Sequence, residues 1–143
     1  YAMLPRAAIH GDLFRDNVMF AEGALAGVFD FYFAGIDTLL FDIAVALNDW
    51  CIDLASGRLD EDRAAALVAA YEAERPLETA EVRLLPALMR AAAFRFWLSR
   101  AWDQHLPRDA VVLVAHDPDH FERVLVQRRD TPWHPARARP NPS

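Results

Sequence analysis

The sequence contains no lysine; all fifteen of its basic residues are arginine. Its five glycines, at positions 11, 23, 27, 35 and 57, nowhere form a Gly-x-Gly-x-x-Gly pattern. A phosphate grip made from a strand lysine under a glycine-rich loop is therefore excluded from these 143 residues. Cysteine is almost absent as well. Cys51 stands alone, which excludes an intramolecular disulfide and suits a reducing compartment, so a cytoplasmic location is expected. Positive charge is in the minority: 15 basic residues against 21 Asp and Glu leave a formal charge of −6. Such an acidic chain lacks the basic footprint of a nucleic-acid binder. No apolar run approaches the roughly 18 residues that span a bilayer. The opening Tyr1-Ala2-Met3-Leu4-Pro5 has neither the basic nor the long apolar region of a signal peptide. Neither nucleic acid nor membrane is expected as a partner.

What is present is a motif. His10-Gly11-Asp12-Leu13-Phe14-Arg15-Asp16-Asn17 is followed by Val28-Phe29-Asp30-Phe31-Tyr32, so that a carboxamide lies five residues after Asp12 and a second carboxylate thirteen beyond it. Transfer of a γ-phosphoryl group asks for this set: one group to orient the attacking hydroxyl, and oxygen ligands for Mg²⁺ on the triphosphate. Asp12 suits the first role, and Asn17 with Asp30 the second. Protein kinases space their catalytic-loop Asp and Asn in the same way ahead of an Asp-Phe-Gly metal site. Here Gly11 replaces the Arg of that loop and Tyr32 replaces the Gly, a combination that resembles the aminoglycoside/choline-kinase branch, whose acceptors are small molecules. The branch holds ATP with an N-terminal lobe that carries the lysine and the glycine-rich loop. The expectation is thus a C-terminal lobe, residues 1–129, of a longer enzyme whose N-lobe is absent here.

The remaining pattern is mainly helical with a small catalytic β-hairpin, the C-terminal lobe of a protein-kinase-like α+β fold. The catalytic loop and hairpin are expected over residues 6–33 and the helices over 38–129. Arg6 to Ile9 reads as an extended segment. Val18-Met19-Phe20 and Leu25 to Phe29 read as a hairpin around a longer loop, Ala21 to Ala24; pairing Phe20 with Leu25 sets Asn17 opposite Val28 and Asp30 two residues along. Asp37-Thr38 marks a helix start, with Leu40, Ile43, Ala44, Leu47 and Cys51 on the core face of a helix from about Leu39. A second helix spans about Glu61 to Glu74. A third, capped by Thr79, spans Ala80 to about Gln104, kinked at Pro86 and apolar on more than one side. Asp117-Pro118 opens a last helix that ends near Arg128. The proline-rich stretch 130–143 reads as a disordered tail.

Five stretches carry a closer likeness. Asp12 to Asn17 with Gly27 to Ala34, then Asp42 to Cys51, then Arg75-Pro76-Leu77 with Ala92 to Arg100, together resemble homoserine kinases of the aminoglycoside-phosphotransferase-like type, over residues 6 to 128. The resemblance implies transfer of the γ-phosphate of ATP to the side-chain hydroxyl of L-homoserine, a step toward threonine. It implies Asp12 as the hydroxyl-orienting base and Asn17 and Asp30 as ligands of Mg²⁺. An acceptor such as choline, ethanolamine or an aminoglycoside keeps the same fold. A non-catalytic binding module is the reading in which this chain completes no nucleotide cleft.

Other residues admit two readings each. His10 is expected to bond the backbone near Asp30 in support of the loop. Asp42 either answers the helix dipole or holds the amides of the catalytic loop. Homoserine carries a carboxylate and an ammonium, so Arg95 and Arg100 are candidates for the first and Asp49 for the second. The competing reading of these three is internal pairing, for example Arg100 with Asp103 or Asp49. Trp50, Phe96, Trp97 and Cys51 read as core.

Overall fold

A computed structural model describes residues 3–105 and 118–135. The chain runs β1 (Arg6–Ile9), a 3₁₀ turn (Arg15–Asn17), β2 (Val18–Ala21), β3 (Ala24–Val28), a second 3₁₀ turn (Phe31–Phe33), β4 (Gly35–Thr38), α1 (Leu39–Trp50), α2 (Glu61–Glu74), α3 (Thr79–His105) and α4 (Pro118–Asp130). Among the described residues no helix is long and apolar enough to cross a membrane.

Helix α1 is the centre. The expected core positions Leu40, Ile43, Ala44, Leu47 and Cys51 are buried, and so are Val45, Ala46 and Asn48, so the helix is enclosed on nearly every side. Ala64 and Val68 of α2, Leu85, Leu88, Met89, Ala92, Ala93 and Phe96 of α3, and Phe121 and Val124 of α4 complete the core around it. Two polar residues buried there are bonded to each other: Asn48 donates to the Met89 carbonyl (2.7 Å) and its own oxygen accepts from Arg128 Nε (2.9 Å). The fold is mainly helical with small β elements, as the sequence predicts.

Several local expectations need correction. The hairpin has no longer loop; β2 and β3 meet across Glu22-Gly23 alone, both at positive φ (52° and 78°), which is the tight turn whose twist matches paired strands. Phe20 does pair with Leu25, but the next pair is Met19 with Gly27, so Ala26 is an extra residue that shifts the register by one. A second ladder was not expected: β1 pairs antiparallel with β4, Arg6 with Thr38 through Ile9 with Gly35. Helix α3 begins at Thr79 itself, and the cap comes from Glu81, which accepts from the Glu78 amide (2.9 Å) while pairing with Arg75 (2.6 Å). That helix packs against both α1 and α4, but its apolar face is narrower than expected: Phe94, Leu98 and Trp102 stay about half exposed, and Ser99 is exposed. Helix α4 runs on to Asp130, and the tail does not begin there. Thr131 donates to Gln127 (2.8 Å) and Trp133 packs against the core. The expected N-cap Asp117, and residues 136–143 of the expected tail, lie outside the described residues.

Candidate active site

β1 delivers His10 to the start of a loop that closes in the 3₁₀ turn Arg15–Asn17. Amides and carbonyls at both ends of this loop have partners on other elements. Asp42, in the first turn of α1, accepts from the amides of His10 and Gly11, each at 2.7 Å. Seven and eight residues further along α1, Asp49 and Trp50 reach the other end of the loop. The Arg15 amide donates to Asp49 at 2.8 Å, its guanidinium adds bonds of 3.0 and 3.1 Å, and Trp50 Nε1 donates to the Leu13 carbonyl at 3.0 Å. One face of one helix thus sets the loop's height and register. Phe14 anchors the middle, edge-on to Phe96 of α3 (4.5 Å between ring centres).

Within this frame Asp12 and Asn17 come together. Asn17 Nδ2 donates to the Asp12 carbonyl (2.8 Å) and to Asp12 Oδ2 (3.1 Å). Both amide hydrogens are thereby committed to Asp12, which aims the Asn17 carboxamide oxygen away from it. Burial pushes the Asp12 carboxyl above the ordinary carboxylate range; the Asn17 hydrogen bond and the Arg95 charge oppose that rise, and the Asp30 charge adds to it.

Asp30 reaches the same place through the hairpin. Because of the Ala26 bulge, Val18 pairs with Val28, and Asn17 therefore faces Phe29, not Val28. The Phe29 amide donates to the Asn17 carbonyl (3.1 Å), and His10 Nε2 donates to the Phe29 carbonyl (2.8 Å). With Nε2 as the donor, Nδ1 is the acceptor, and the Asp12 amide donates to it at 3.3 Å. One imidazole therefore ties the backbone of Asp12 to the residue before Asp30. Asp30 itself takes a left-handed conformation (φ 60°, ψ 61°), which an Asp tolerates better than most residues and which turns the chain into the second 3₁₀ turn.

Asn17 Oδ1 and the Asp30 carboxylate are two hard oxygen donors, the set that suits a Mg²⁺ ion completing its shell with phosphate oxygens and water. No group of three or more His, Cys, Asp or Glu capable of holding a metal occurs among the described residues.

The residues considered for a charged acceptor each make contacts within the protein. Asp49 is engaged by three bonds from Arg15. Arg100 stacks on Phe121 (4.3 Å) and Phe14 (6.0 Å), and the Asp103 side chain lies outside the described residues. Arg95 donates to the Gly11 carbonyl at 2.5 Å, next to Asp12. Sequence reasoning did not single out Arg15, whose role depends on a contact 34 residues away. An apolar groove of about 460 Å³ lies between the hairpin, α1 and α2, lined by Phe20, Leu25, Ile43, Trp50 and Tyr71 among others. Asp12, Asn17 and Asp30 do not line it.

Comparison with known proteins bears on the whole region. The sequence model of the phosphotransferase enzyme family matches residues 2–77, which contain the loop, the hairpin and α1. The homoserine kinase of Polaromonas naphthalenivorans is 67% identical over 133 residues, covering 93% of this chain and 42% of that protein. The homoserine kinase of Ralstonia nicotianae is 57% identical over 134 residues, covering 90% and 40%, and that of Paraburkholderia phymatum 54% over 136 residues, covering 90% and 42%. The chain therefore spans about two fifths of the length of these relatives. On the match across its loop, hairpin and first helix, the chain belongs to the phosphotransferase enzyme family.

Proposed function

We propose that this chain is the C-terminal lobe of an ATP-dependent kinase that phosphorylates the side-chain hydroxyl of L-homoserine. The observation that carries the reading is the convergence of Asp12, Asn17 and the residue before Asp30 through four hydrogen bonds, on a chain 67% identical to a homoserine kinase. Asp12 orients the homoserine hydroxyl and accepts its proton as that oxygen bonds to the γ-phosphorus and the bond to the ADP oxygen breaks. A carboxyl lifted by burial is the better proton acceptor. Asn17 Oδ1 and Asp30 would hold Mg²⁺, which when bound neutralises charge on the β- and γ-phosphates. The lysine and glycine-rich loop that this chain lacks belong, on this reading, to an N-lobe outside it.

The test is ADP release by the full-length protein, coupled to an indicator reaction, with a panel of hydroxylated amines and amino acids. L-Homoserine is expected as the preferred acceptor, with choline, ethanolamine and aminoglycosides at background. Turnover of choline without turnover of homoserine would overturn the assignment.

A further inference from the structure

Arg95 lies on α3, yet its guanidinium ends at the junction of the two segments that carry the chemistry. Nη1 donates to the Gly11 carbonyl at 2.5 Å, across 84 residues of sequence. Its Cζ lies 4.9 Å from the centre of the Phe33 ring, 4.7 Å from Phe96 and 5.6 Å from Phe41. Three aromatic faces and a carbonyl are an unusual surrounding for a cation, and they suit a flat guanidinium that stacks by its face and donates by its edge.

The carbonyl it holds belongs to the Gly11–Asp12 peptide. The amide of that same peptide is held by His10 Nδ1, and the preceding amide by Asp42. With both ends of the peptide plane fixed, the direction in which Asp12 leaves the backbone is fixed too. Arg95 supplies the only one of these bonds that comes from α3. Its second contact, Phe33, lies three residues after Asp30, and the backbones meet at this point. Gly11 has φ +76°, and a Cβ built there would stand 2.7 Å from the Phe33 carbonyl oxygen.

We infer that Arg95 is a positioning residue, a staple that clamps the loop bearing Asp12 against the segment bearing Asp30, and that its guanidinium serves this role instead of binding the acceptor carboxylate. The inference rests on the proposed reading of Asp12, and the two can fail separately.

The experiment uses the full-length protein with Arg95→Met, which keeps length and ring contact while removing charge and donors, and with Arg95→Lys, which keeps a charge and a donor. Steady-state kinetics and hydrogen–deuterium exchange are measured together. Arg95→Met is expected to lower kcat by about tenfold to a hundredfold, the worth of one charge-assisted hydrogen bond, with KM for the acceptor within about threefold. Arg95→Lys is expected to restore at least half of that loss on a logarithmic scale. Exchange should quicken in residues 10–12 and 31–34 and stay unchanged in α1 and α4, which separates a local role from general loosening of the fold. A large rise in acceptor KM with kcat preserved would make Arg95 a substrate contact and overturn the inference, as would unchanged exchange in both segments. If the wild type does not phosphorylate homoserine, the functional assignment falls, and the exchange arm still decides the role of Arg95. If Arg95→Met does not fold, Arg95→Lys decides: it must fold, lower kcat without raising acceptor KM, and quicken exchange in the two segments alone.

Discussion

Replacing Asp42 with asparagine is the sharpest perturbation of the loop's support. The carboxylate accepts two backbone amides at 2.7 Å, one on each oxygen. Asparagine offers a single acceptor oxygen, and its NH₂ must face the second N–H, so one bond is lost and a partly buried donor is left without an acceptor. A hydrogen bond to a charged group contributes about 1.5–3 kcal/mol, and a stranded donor costs about as much, so a net loss of about 3 kcal/mol is expected. If that loss falls on placing Asp12, kcat drops about 150-fold. Asp42→Ala strands both amides and should cost more than Asp42→Asn. The assay pairs steady-state turnover of the full-length protein with a urea unfolding curve followed by tryptophan fluorescence, which apportions the cost between fold and function. Turnover and unfolding midpoint both at wild-type values in Asp42→Asn would refute the argument that this carboxylate holds the loop.

Two further outcomes follow from single features. Gly11→Ala combines a left-handed backbone (φ +76°) with a Cβ only 2.7 Å from the Phe33 carbonyl oxygen, and neither backbone can move without displacing Asp12 or Asp30. Turnover should fall at least about a hundredfold while α1 to α4 retain their circular dichroism, and near-normal turnover would contradict the close approach. Burial pushes the Cys51 thiol up to about 11, so only about one in a thousand is thiolate at pH 8. Alkylation by iodoacetamide in the folded protein should therefore stay slow from pH 7 to 9 and accelerate only toward pH 11, whereas the urea-unfolded protein reacts quickly by pH 9.

What could be read from sequence is what depends on short separations and simple periods. The buried face of α1 follows from helical spacing, and the pairing of Phe20 with Leu25 from two β-prone runs around a turn. Asp12, Asn17 and Asp30 stood out because phosphoryl transfer fixes both residue type and spacing. The bulge at Ala26 did not, since an extra alanine in a strand leaves no mark in composition, yet it moves Asp30 one residue nearer to Asn17's partner. Asp42 was legible as a candidate holder of the loop amides, which it is, but two other pairs that hold the loop were silent. Arg15 with Asp49, and Arg95 with Gly11, join residues 34 and 84 apart whose own neighbourhoods say nothing of each other. Glu81 was visible as a first-turn acid, but that it would cap α3 while pairing with Arg75 depends on where the chain enters the helix. Trp133 lay in a proline-rich stretch whose composition argued for disorder, and its ring finds the core all the same.

The central claim is that Asp12, held by Asn17 beside Asp30, orients the attacking hydroxyl. It is tested most directly by the turnover of Asp12→Ala in the full-length protein with MgATP and L-homoserine. The account predicts a fall in kcat of about 10³-fold or more with the affinity for MgATP changed less than about threefold. A kcat within threefold of the wild type would contradict it.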